Sequence, residues 1–190
     1  MKITLATGNS HKVYEINLIA KNYGIEFVLP NGEFDPVEDG KNFLENAYCK
    51  AKCASLNGST DYYLADDSGL CIDYLNGEPG IFSARYETTP QKRIDKVLDK
   101  LKGVKDRNAH FTCAMVIVDK KGEIVFQTEQ YVFGSILEKQ IGTNGFGYDP
   151  IFFVKELNKG MAELSAVEKS KVSHRAKALN KVIEFLEKLK

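Results

Sequence analysis

Two carboxylates stand side by side, Asp66 and Asp67, in "YYLADDSGLCIDYL", between runs that read as strands. Like charges next to a core segment are costly unless a cation, hydrogen-bond donors or water offset them. From this stretch alone a solvated Asp-Asp-Ser-Gly turn and a metal site are both open. A second acidic pair, Glu38 and Asp39 in "EDGKNFLENA", precedes a helix start and offers hard oxygen ligands. Mg²⁺ usually takes one or two carboxylates and fills its shell with water and substrate phosphates, so one Glu here plus one Asp from "ADDSGL" is sufficient. A solvated acidic loop is the other reading.

Two lysines sit where a helix disfavours them. Lys12 of "TGNSHK" and Lys169 of "EKSKVSHR" both read as first-turn residues, where a cation opposes the helix dipole and a bound anion is favoured. A polyphosphate would explain both; solvated surface lysines would too. Ser173 follows one turn after Lys169, and His174 and Arg175 fall off the apolar stripe of that helix. "TNGFGYDPIF" combines glycines that permit close backbone approach, the rings of Phe146 and Tyr148, and Asp149 as an acceptor, which suits a nucleobase pocket or a glycine-rich turn into a strand.

The elements that must carry these residues follow from periodicity. Lys2 to Ala6 alternates as a strand, and Val13, Ile16, Ile19, Ala20 and Tyr23 recur at helical spacing up to Gly24. "IEFVL" is a second strand. In "NFLENAYCKAKCASLNG", Asn42 and Glu45 have capping-box spacing, and Leu44, Ala47, Ala51 and Ala54 share a face. "TTPQKRIDKVLDKLKG" is a helix with Pro90 near its first turn, and a strand meander turns at "DKKG". One amphipathic helix, opened by Ser165 and Glu168, is expected to run to the end with Val172, Ala176, Leu179, Ile183 and Leu186 inward. The expected class is α/β, with a mixed, partly antiparallel sheet flanked by helices.

With 190 residues, 43% of them hydrophobic, the chain is expected to form a single domain spanning 1–190. Its 26 basic and 26 acidic residues cancel, which removes the basic footprint of a nucleic-acid binder. Locally the charge is uneven. Glu33 to Asn46 holds five acids against Lys41, and Lys155 to Lys190 holds nine Lys/Arg against five Glu. No run approaches the ~20 apolar residues of a membrane span, and the N-terminus lacks a signal peptide's apolar run, so a cytoplasmic protein is expected. Cys49, Cys53, Cys71 and Cys113 show no metal spacing and are expected to be reduced, mostly buried thiols.

Taken in order, "ATGNSHK", "EDGKNFLENA", "ADDSGL", "GEPGIFSARY", "GFGYDPIF" and "EKSKVSHRAKAL" resemble the inosine triphosphate pyrophosphatase family, the non-canonical purine NTP pyrophosphatases, over nearly the whole chain. The resemblance implies an elongated mixed sheet in two lobes with a central cleft, and usually a homodimer. It further implies Mg²⁺-dependent hydrolysis of hypoxanthine- or xanthine-bearing triphosphates to monophosphate and pyrophosphate. Carried over by position, Thr7, Gly8, Asn9, Ser10, His11 and Lys12 would contact the nucleotide. Glu38 and Asp67 would hold metal, with Asp67 also the proton acceptor. Ser68, Phe146, Gly147, Tyr148, Asp149, Lys169, His174 and Arg175 would bind substrate. A pyrimidine-directed Maf-like pyrophosphatase and a nucleotide-binding regulator without turnover are the competing readings; the second would not need Asp67 paired with Glu38.

Overall fold

A computed structural model describes residues 1–31 and 34–189; the acidic run read from Glu33 and the basic tail read to Lys190 each have one end outside the described residues. Seven strands form one mixed sheet in the order β2-β1-β3-β4-β5-β6-β7. β1 (Lys2–Leu5) pairs in parallel with β2 (Glu26–Val28) and with β3 (Tyr62–Ile72). The two crossovers contain α1 (Ser10–Ala20) and α2 (Phe43–Ser55), as parallel pairing requires. After α3 (Pro90–Lys100) come the long strands β4 (Asn108–Asp119) and β5 (Ile124–Ile136). Their turn closes through Asp119 N–H on the Glu123 carbonyl at 3.0 Å, at the "DKKG" read from sequence. β5 then pairs antiparallel with β6 (Phe152–Val154), and β6 with β7 (Lys159–Gly160). The expected mixed, partly antiparallel sheet is therefore observed.

By contacts the chain forms two compact units, Met1–Asp67 with Cys113–Gln130 and His174–Lys190, and Ser68–Thr112 with Tyr131–Ser173. In the first, two apolar clusters use alternate residues of β3. Leu64 packs with Ile3, Leu5, Ile16, Leu179 and Ile183, whereas Tyr63 and Ala65 pack with Ala47, Ala51 and Ala54 of α2. This is the two-residue strand period expressed as two opposite faces. In the second unit Leu70, Ile72, Ile94, Val97, Phe111, Phe152 and Met161 form one core.

Three sequence expectations change. β3 is one uninterrupted strand of 11 residues, so Asp66 and Asp67 lie inside it and not in a turn between two strands. The last helix is two: α4 (Ala166–Val172) and α5 (His174–Glu187), parted at Ser173, whose ψ of 155° is extended. The physical reason is a divided stripe, because Val172 packs on the second unit's core while Ala176, Leu179, Ile183 and Leu186 are buried on α5, the last three in the first unit's core. Lys169 consequently lies in the last turn of a seven-residue helix, where its charge complements the dipole, and not in a first turn. The capping signals are realised: Ser165 and Glu168 form a capping box, Asn42 Oδ1 accepts from Glu45 N–H at 2.8 Å, and Thr89 caps α3 ahead of Pro90.

Candidate active site

Asp67 points to the α2 side of β3. Its Oδ2 accepts from Asn46 Nδ2 at 3.1 Å and its Oδ1 from Lys50 Nζ at 3.1 Å. Lys50 Nζ also lies 3.2 Å from Glu38 Oε1, so one ammonium bridges both carboxylates expected to hold metal. Asn46 and Lys50 are one turn apart on α2 and both face inward, at 0% and 6% exposure. Asn46 Oδ1 also accepts from Gly40 N–H at 2.9 Å, which ties the Glu38-bearing loop to the same helix. A side chain at Gly40 would overlap Asn46.

Burial pushes the Asp67 carboxyl above the ordinary range despite the nearby charges of Lys50 and Lys12. The Lys50 ammonium also binds its proton more tightly: burial opposes this, but Asp67, Asp66 and Glu38 together outweigh it. The two directions have different causes, burial for Asp67 and the surrounding carboxylates for Lys50.

Asp66 points to the opposite face. Its Oδ2 accepts from Lys12 Nζ at 3.0 Å and from Arg175 Nε and Nη2 at 3.3 and 3.2 Å. Arg175 also donates through Nη1 to Glu15 Oε2. Burial alone would raise the Asp66 carboxyl, but Lys12, Arg175 and Lys50 hold it well below the usual range. Its Oδ1 is buried without a hydrogen bond. Lys12 reaches this carboxylate from the third residue of α1, whose first free N–H groups at His11 and Lys12 are capped by Asn9 Oδ1. Thr7 is buried, with its hydroxyl accepting from Asn9 N–H at 3.2 Å, while Gly8, Asn9, Ser10 and His11 are exposed.

In the second unit, Asp149 and Lys169 form a buried ion pair at 2.6 Å. Asp149 Oδ2 also accepts from Phe146 N–H at 2.8 Å, and Lys169 Nζ stands 4.8 Å from the centroid of the Phe146 ring. The turn that permits this has Gly145 and Gly147 at φ of 77° and 62°. A Cβ at Gly145 would overlap the Asp149 carboxylate, so glycine is required there for contact as well as for φ. Tyr148 is buried, Phe146, Gly147 and Ser68 are half-buried, and His174 is buried at the start of α5.

Around β3 the structure thus gathers Lys12, Glu38, Asp67 and Arg175 from the expected set, and separately Phe146, Asp149 and Lys169. Sequence reasoning missed Lys50, Asn46, Glu15 and the central place of Asp66. The available signal was Lys50 itself, a lysine on the face that carries Ala47, Ala51 and Ala54.

Among the described residues no three or more His, Cys, Asp or Glu side chains gather as a metal cage. A Mg²⁺ site does not require one. Lys12, Lys50 and Arg175 face Glu15, Glu38, Asp66 and Asp67, which brings hard oxygen donors together. Glu38 and Asp67 therefore fit the group by the chemistry of their donors. Among the described residues no helix is long and apolar enough to cross a membrane.

The model of the Ham1 family matches residues 3–185. A protein named dITP/XTP pyrophosphatase from Treponema denticola is 45% identical, covering 98% of this chain and 98% of its own. One of the same name from Clostridium perfringens is also 45% identical, over 97% of each. Among solved structures, the Staphylococcus aureus Ham1 protein superposes with a TM-score of 0.88 at 37% identity, covering 100% of both chains. A nucleoside-triphosphatase described as a dITP/XTP pyrophosphatase from Mycobacterium abscessus gives 0.75 at 35% identity, over 96% of this chain and 98% of its own.

Proposed function

The chain belongs to the Ham1 family, and on that footing we propose that it is a nucleoside triphosphate pyrophosphatase acting on non-canonical purine nucleotides. Its substrates are inosine, deoxyinosine and xanthosine triphosphates, its products the monophosphate and pyrophosphate, and its role the removal of these nucleotides from the precursor pool. Mg²⁺ as cofactor, a homodimer and a cytoplasmic setting complete the reading. The observation that carries it is the Asp67–Lys50–Glu38 array, a carboxylate with raised proton affinity beside a second carboxylate and a shared ammonium.

Asp67 is the proton acceptor for the attacking water. Burial raises its affinity for that proton, while Asn46 and Lys50 fix its orientation. Glu38 and Asp67 would hold Mg²⁺, which when bound would neutralise phosphate oxygens and lower the pKa of water. Lys12 and Lys50 supply positive charge for the charge developing on the leaving pyrophosphate. Each is held on a carboxylate beforehand, so little reorganisation is needed. Thr7 to His11 of the first unit, and Ser68 and Lys169 of the second, are each assigned to substrate contacts.

Phe146 to Asp149 of the second unit contact the base, and His174 and Arg175 of the first are assigned to substrate binding. A 6-oxo purine offers an acceptor to Arg175 or a backbone N–H, where adenine offers a donor; one unmet buried hydrogen bond costs about 1–3 kcal/mol, roughly tenfold to a hundredfold. The test is pyrophosphate release across inosine, xanthosine, adenosine, guanosine and pyrimidine triphosphates, with and without Mg²⁺. Orthophosphate as first product, or turnover that survives chelation, defeats the mechanism. A preference for modified pyrimidines moves the chain to the Maf-like reading.

A further inference from the structure

The segment "GIFSAR" has no part in the reaction just described, yet it sits at a junction. It forms the 3-10 turn Gly80–Arg85, and Ser83 within it is buried. The Ser83 hydroxyl donates to the Gly80 carbonyl at 2.6 Å and accepts from Leu70 N–H at 2.9 Å. The Ser83 carbonyl in turn accepts from the Tyr148 hydroxyl at 3.0 Å. One residue therefore holds β3 through its side chain and the Phe146–Asp149 turn through its backbone.

Both held segments carry nucleotide-contacting residues under the proposed function. Leu70 is two residues beyond Ser68, on the same side of β3 by the strand period. Tyr148 lies between Gly147 and Asp149, and its ring is buried in the core that includes Leu70, Phe111 and Phe152. The carbonyl can only accept, so the phenol must donate, and burial keeps its proton in place by pushing the group well above the usual tyrosine range. Upstream, Ile72 N–H donates to the Glu78 carbonyl at 3.1 Å and Cys71 bridges Pro79, which fixes the start of the Ser83 turn on the same strand.

We infer that Ser83 is a positioning residue for the nucleoside half of the substrate, clamping Tyr148 and β3 so that the Phe146–Asp149 turn and Ser68 hold one fixed spacing. The inference rests on the proposed function. Other parts of the molecule offer less. The aromatic group of half-buried His110 with the exposed Tyr131 and Phe133 has nothing to say what covers it.

The test uses the full chain and two probes, inosine monophosphate and inorganic pyrophosphate, bound separately and followed by calorimetry. Ser83→Ala removes the hydroxyl; Tyr148→Phe removes only the phenol bond and is the milder change. Each should weaken inosine monophosphate binding roughly tenfold, as expected for one lost buried hydrogen bond, and leave pyrophosphate affinity within about twofold. Because both act through one junction, the double variant should lose less than the product of the single losses. Unchanged inosine monophosphate affinity with a lowered melting temperature, or equal weakening of both probes, would show a purely structural serine. Wild-type protein that binds neither probe would instead sink the proposed function and the inference together.

Discussion

Asp66 and Asp67 are neighbours in the chain but belong to opposite faces of β3. Asp66 is held by Lys12 from α1 and Arg175 from α5, and Asp67 by Asn46 and Lys50 from α2. The apparent conflict of adjacent like charges is resolved by the pleat, which gives each carboxylate its own cations. The two then differ in proton affinity in opposite directions, and their substitution should have opposite consequences.

Asp67→Asn should lose most turnover, by ~10²–10⁴ for a missing general base, without loss of fold. Because the folded pKa of Asp67 is raised, its contribution to stability is present below the ordinary carboxylate pKa and is lost as pH rises through the folded value. At pH 7 the charged form is the penalised one, so the variant should melt no lower than wild type. In wild type the acid limb of kcat/KM should lie above the ordinary carboxylate value of about 4 and disappear in the variant. A variant within a few-fold of wild-type activity would remove Asp67 from the chemistry.

Asp66→Asn should instead unfold easily. It leaves Lys12 and Arg175 facing an amide in a buried site, and breaking such a pair typically costs about 3–5 kcal/mol. The folded pKa of Asp66 is depressed, so its stabilisation is present above the ordinary carboxylate pKa and is lost as pH falls through the folded value. Denaturant titrations at several pH values should show the gap between wild type and variant closing only in strong acid. A stability difference under 1 kcal/mol at pH 7 would contradict the buried network.

Glu38→Gln should raise the Mg²⁺ concentration needed for half-maximal rate and leave the maximal rate far less affected. Lys50 keeps its contact with Asp67, so the base remains oriented. An unchanged metal titration would take Glu38 out of the metal site.

Gly145→Ala should damage the second unit's cluster, because the new methyl displaces the Asp149 carboxylate and with it the bonds to Phe146 N–H and Lys169. The positive φ adds roughly 1 kcal/mol or more of strain. Expected outcomes are a lower melting temperature and at least a tenfold rise in KM for inosine triphosphate, the scale of one lost buried hydrogen bond. Wild-type KM would show that this carboxylate is remote from the nucleotide.

Much of the fold was readable because its signals are local. Asn42 with Glu45 and Ser165 with Glu168 announced helix starts, and "DKKG" announced a turn, through contacts spanning a few residues. What could not be read depended on partners far along the chain. Arg175 reaches Asp66 across 109 residues, and that pairing makes a strand interior tolerable for a carboxylate that local rules assign to a turn. Lys50 was marked only by its place on the face of Ala47, Ala51 and Ala54, because nothing nearby in sequence says that Asp67 and Glu38 await it. The break at Ser173 was hidden because its apolar positions keep helical spacing while serving two different cores.

That break has a consequence for synthesis on the ribosome. The second unit draws nothing from beyond Ser173, so all of its residues are available before the last helix is made. The first unit packs Ile3 and Leu5 against Leu179, Ile183 and Leu186, residues that stand before and after the second unit in the sequence. Strand β1 must wait, with apolar residues uncovered, until α5 has been made. The nascent chain is thus expected to fold from its middle outward, counter to the usual N-terminal-first order, and a stop codon shortly after Ser173 would yield one ordered unit attached to an aggregation-prone remainder.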